Sequence, residues 1–77
     1  MESKSDKFAR LAEARTNNVL NSILSLGKLA NTSHYDFSES DVESIFAAIR
    51  KEVTDAHNQF KSALGRRQHP RFKLDKT

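Results

Sequence analysis

A chain of 77 residues with a formal net charge of +3 and no cysteine has the length of one small domain, with neither disulfides nor thiolate zinc ligands to reinforce it. At this length only about 60% of the unfolded surface is buried on folding, so self-association or docking on a partner is the expected reinforcement. No apolar run approaches the roughly 20 residues that span a bilayer, and the opening MESKSDKF carries acids and no apolar stretch, unlike a signal peptide; a cytoplasmic protein is expected.

The first predicted element is a helix over about residues 5–30. Ser3 or Ser5 can cap it, and Asp6 lies near the positive end of its dipole. Its apolar stripe reads Ala12, Thr16, Val19, Ile23, Leu26, Ala30, alternating steps of four and three, with Phe8 one turn earlier. In the second half Leu20, Leu24 and Gly27 form a flank beside this stripe. Together they make an apolar surface wider than one neighbouring helix covers. Glycine inside a helix costs about 1 kcal/mol relative to alanine, a cost offset where another backbone comes close. The flank therefore points to a second occupant: another copy forming a four-helix bundle, a different protein, or Tyr35, Phe37 or Phe72 folding back. The same helix carries a set of polar residues, Thr16, Asn17, Asn18, Asn21, Ser22 and Ser25. These residues compete with helical hydrogen bonding. Asn18, Asn21 and Ser25 share a face edged by Arg15, which reads either as a hydrogen-bonding surface for a macromolecule or as a tolerated solvent face.

The stretch LANTSHYDFSESDV breaks the period and connects to a second helix over about residues 39–64. Ser38 and Asp41 form a capping box with aspartate where glutamate is usual, and Phe37 and Val42 hold the positions of a hydrophobic staple. Glu39, Asp41 and Glu43 complement the dipole. The stripe runs Val42, Ile45, Phe46, Ile49, Val53, Ala56, Phe60, Ala63, Leu64, and Gly65 is expected as a left-handed C-terminal stop. The fold class is then all-α: two long antiparallel helices in a hairpin over residues 1–64, expected to pair into a dimeric four-helix bundle. Tyr35 and Phe37 are expected to cap the apolar end of that hairpin.

Residues 65–77, GRRQHPRFKLDKT, are expected as a basic C-terminal tail, with Pro70 excluding helix. They carry five bases and one acid, a net +4, whereas residues 1–64 carry eight bases and nine acids, a net −1. A basic tail on a near-neutral body is at most an electrostatic arm. Arg66, Arg67, Arg71 and Lys73 around Phe72 could contact single-stranded nucleic acid by stacking between charges. One aromatic among five basic charges is a sparse pattern for that chemistry, and the segment otherwise reads as a solubilising terminus or as a strand laid on a partner.

Catalytic patterns are sparse. His34, His57 and His69 have no second ligand at metal spacing on one helical face, and there is no HExxH, GxSxG or phosphate-binding glycine loop. His57 reads as a half-buried residue at the shoulder of the second stripe. The acids Glu39, Glu43, Glu52 and Asp55 form a solvated face, partly paired with Arg50 and Lys51. A non-enzyme without cofactor or small-molecule substrate is expected.

The middle of the chain resembles a group of small bacterial and mobile-element proteins of unassigned function. The residues that carry the resemblance are Arg15-Thr16-Asn17, Leu26-Gly27-Lys28-Leu29-Ala30-Asn31, Tyr35-Asp36-Phe37-Ser38 and the run from Asp41 to Ile49 with its Ile-Phe-Ala-Ala-Ile. They lie in about half of the chain, and Lys28, Ala30 and Phe37 depart from the group's pattern. The resemblance implies a helical hairpin and no particular activity. If Gly27, Asn31 and Tyr35 are a signature, they shape a surface at the tip of the hairpin.

Two functional expectations follow. The first is a small regulatory or accessory module, homodimeric or docked on a protein partner, using Leu20, Leu24, Gly27, Asn31, His34 and Tyr35. The second is a nucleic-acid-binding accessory protein using Arg15, Asn18, Asn21 and the tail residues Arg66, Arg67, Arg71, Phe72 and Lys73.

Overall fold

The computed structural model describes residues 1–68, with side chains as far as residue 66. The expected Arg71, Phe72 and Lys73 contacts lie outside the described residues. Two helices account for the regular structure: α1, Lys4–Gly27, and α2, Glu39–Gln68. The succession of helix, connector and helix is the one a helical hairpin requires, and the all-α class holds. The chain divides into two units, Met1–Asp36 and Phe37–Thr77, each described in turn.

Unit 1 begins with a capped helix. The Ser3 hydroxyl accepts the Asp6 backbone N–H at 3.0 Å, and the Lys7 N–H reaches the Ser3 carbonyl at 2.9 Å. One orphan donor of the first turn is thereby satisfied. An unanticipated ion pair reinforces this start: Arg10 donates through Nε and Nη2 to the two Glu2 carboxylate oxygens at 2.8 and 3.1 Å. The fork grips a residue that precedes the helix from its second turn. Glu2 also holds the Arg10 guanidinium more firmly protonated than usual.

The far end of α1 corrects the expected boundary. The α-helix stops at Gly27, not Ala30. Beyond it the N–H groups of Lys28, Leu29 and Ala30 bond to the carbonyls three residues back, Ser25, Leu26 and Gly27, at 3.0–3.1 Å. This is a tightened 3₁₀-type exit, with Lys28 still right-handed at φ −70°. Gly27 is therefore the last helical residue and not an interior one. Its low helix propensity favours release there.

Unit 2 opens on the expected capping box. The Ser38 hydroxyl accepts the Asp41 N–H and the Asp41 carboxylate accepts the Ser38 N–H, both at 3.0 Å. Hydrogen bonding from Ser38, its backbone N–H first and its side chain second, holds the Asp41 carboxyl below its ordinary pKa. Farther along, Lys51 pairs with Asp55 at 2.8 Å, one turn apart. The helix then runs through Gly65 to Gln68. No glycine among the described residues has positive φ. Gly65 is thus no left-handed stop, and Arg66, Arg67 and Gln68 belong to α2, not to a tail. Glycine enters a right-handed turn at modest cost, and the residues after it are good helix formers.

No described residue is buried. Ala12 and Leu26 on α1, and Val42 and Ile49 on α2, are half-buried, whereas the remaining large stripe residues are exposed. His57, expected at half burial, is exposed. A helix cannot cover its own stripe, and in proteins most helical stability comes from packing that stripe against another surface.

Candidate functional site

The candidate site belongs to unit 1 and runs from the second half of α1 into the connector. At about 100° per residue, Val19, Ile23 and Leu26 lie on one side of an apolar arc roughly 160° wide, and Leu20, Leu24 and Gly27 on the other. Leu20 and Leu24 are 58% and 64% exposed, above the 53% and 40% of Val19 and Ile23. The flank is thus the more solvated part of the arc. A Cβ built at Gly27 meets no atom within 4 Å, so nothing nearby in the chain demands a glycine. No charged residue falls in residues 16–27, whereas aspartate, glutamate, lysine and arginine make up 30% of the whole chain. Arg15 and Lys28 bound this uncharged stretch, Glu13 lies two residues before Arg15, and all three are exposed.

The polar back of the helix is presented as expected. Arg15, Asn18, Asn21 and Ser25 are all exposed. Arg66, the other described member of the nucleic-acid set, is an exposed residue of α2. The structure therefore gathers Arg15, Asn18 and Asn21 on α1, and assigns Arg66 to the other unit.

The connector has a defined shape, and Asn31 makes it. Its side-chain oxygen accepts the Ser33 N–H at 3.0 Å, closing an Asx turn. Its carbonyl accepts the N–H groups of His34 at 3.1 Å and Tyr35 at 2.9 Å. Asn31 is thereby the turn's organiser, a role the sequence reading did not assign to it. The turn sets the His34 and Tyr35 rings edge to face, with centroids 6.3 Å apart. Tyr35 is half exposed, with its ring and hydroxyl available to a partner. Five of the six predicted docking residues thus project toward solvent or form the exposed arc, and Asn31 holds two of them in place.

Elsewhere the features serve structure. The groups with displaced pKa, Arg10 and Asp41, are both engaged at helix starts. A shallow depression on α2 is lined by Asp55, Asn58, Gln59, Ser62 and Arg66. It was not foreseen, since its residues carry no motif and merely share one helical face. Among the described residues no group of three or more His, Asp or Glu could hold a metal ion, and no helix is long and apolar enough to cross a membrane. Comparison of the chain with known protein families, with curated proteins and with solved structures finds no match in any of the three.

Proposed function

We propose that this chain is a small, non-catalytic accessory module that binds a protein partner through the Leu20–Leu24–Gly27 flank of α1 and the connector around Asn31, His34 and Tyr35. The observation that carries the reading is the exposure of Leu20 and Leu24, 58% and 64%, within a helical stretch that has no charge to solvate it. Contiguous exposed apolar surface of this kind marks interaction sites in soluble proteins. Tyr35, in the connector that follows α1, is an aromatic residue with a polar tip, the type enriched where partners are anchored.

The test is retention on the immobilised full-length chain, wild type against Leu24→Asp, at rising salt. A protein held by the wild type at roughly 0.5 M salt, where exposed charge pairs are screened, and released by the substitution supports the reading. The contrary outcome is bound nucleic acid, insensitive to Leu24→Asp. It would leave with a salt slope set by about four or five phosphates and transfer the function to Arg15, Asn18, Asn21 and the basic C-terminal residues.

A further inference from the structure

We infer that the occupant of the Leu20–Leu24 flank is the same flank of a second copy of this chain, packed antiparallel; the inference rests on reading that flank as a docking surface. A two-fold interface brings a patch against itself, so each charge near the axis meets its own kind. Residues 16–27 carry none. This stretch, the longest in the chain without Asp, Glu, Lys or Arg, can therefore face its own copy without like-charge repulsion.

The rims select the orientation. At about 100° per residue, Glu13 and Lys28 fall on the Leu20–Leu24 side of α1, at opposite ends of the uncharged stretch and about 22 Å apart along the axis. Both are exposed, and neither is ion-paired among the described residues. Parallel packing would set Glu13 against Glu13 and Lys28 against Lys28. Antiparallel packing about a two-fold axis level with Ser22 sets Leu20 against Leu24 of the other copy, twice over. It also brings each Glu13 within three residues, about 4.5 Å of axial offset, of a Lys28, a gap that the lysine side chain spans. Opposite charges then close both ends of an apolar seam. Gly27 lies on the seam, where the lack of a side chain lets the second backbone approach. A Cβ there would meet nothing in its own chain within 4 Å, so the position is open to a second backbone.

Sedimentation equilibrium of the full chain tests this from roughly 1 to 500 µM, the range suited to an interface at the small end of the known sizes. Wild type is expected to dimerise. Glu13→Lys is expected to raise the dimer dissociation constant roughly tenfold, because two rim pairs turn repulsive. Glu13→Lys combined with Lys28→Glu is expected to restore it. These surface changes leave the apolar face intact, circular dichroism at matched concentration follows the helix content, and recovery in the double variant assigns the loss of association to the rim charges. Association that ignores Glu13→Lys, or a double variant no tighter than the single one, overturns the antiparallel pairing. A wild type that stays monomeric throughout overturns the second copy as occupant. In that case protein retention that still depends on Leu24 would leave the docking surface standing, whereas retention indifferent to Leu24→Asp would remove both.

Discussion

Single side chains settle the two ends of the connector. Asp41 is the clearest case, because its carboxylate accepts the Ser38 N–H at 3.0 Å and its pKa is lowered by that bond. A depressed carboxyl contributes stability that is fully present above its unfolded value, about 3.9. That contribution is lost as pH falls through the folded value. The start of α2 should therefore be intact at neutral pH and loosen in acid. Amide exchange at Ser38, corrected for its intrinsic pH dependence, should lose protection on acidification, and protection unchanged down to about pH 2 would refute it. Ser38→Ala removes the other half of the box and should cost about 1 kcal/mol in helix stability at any pH. Asn31 has the same standing on the other side. Asn31→Ala removes the acceptor of the Ser33 N–H, and Asn31→Asp keeps it. If the Asx turn positions His34 and Tyr35, the alanine variant should expose the Ser33 amide to exchange and broaden the two ring signals, and the aspartate variant should do neither. Equal behaviour of the two variants would separate the turn from the rings.

At the scale of the helices, starts were legible and stops were not. A start is written in a few adjacent residues whose side chains bond to the backbone, and Ser3, Ser38 and Asp41 do so as expected. A stop is a competition between continuing the helix and what the next residues offer. After Gly27 the Asx turn at Asn31 offers an alternative, and α1 ends three residues earlier than its apolar period suggests. After Gly65 come Arg66, Arg67 and Gln68, which favour continuation, and α2 continues. Gly65→Ala should consequently stabilise α2 by roughly 0.5–1 kcal/mol, because the position is right-handed and open. A left-handed stop would make the same change destabilising, so the sign of the shift in the thermal melt decides. The Glu2–Arg10 pair escaped the sequence for a related reason. Glu2 precedes the helix, so the three- and four-residue spacings that expose helical pairs do not apply to it.

For the whole molecule the governing fact is that no described residue is buried, while each helix carries an apolar stripe. Stability that depends on covering those stripes by association follows mass action. The melting temperature should rise by several degrees over a roughly hundredfold increase in protein concentration, and a melt independent of concentration would show that the chain needs no second molecule. The sequence alone determined the helical class, both helix starts, the apolar arc and the uncharged stretch of α1, because propensity, capping and periodicity are properties of neighbouring residues. Only the folded structure decided that α1 ends at Gly27, that α2 passes Gly65, that Asn31 shapes the connector, and that Leu20 and Leu24 are the most solvated part of the arc. Those outcomes depend on which of several permitted backbone paths leaves the fewest polar groups unpaired, and on what remains uncovered afterwards. Neither quantity belongs to any one stretch of residues.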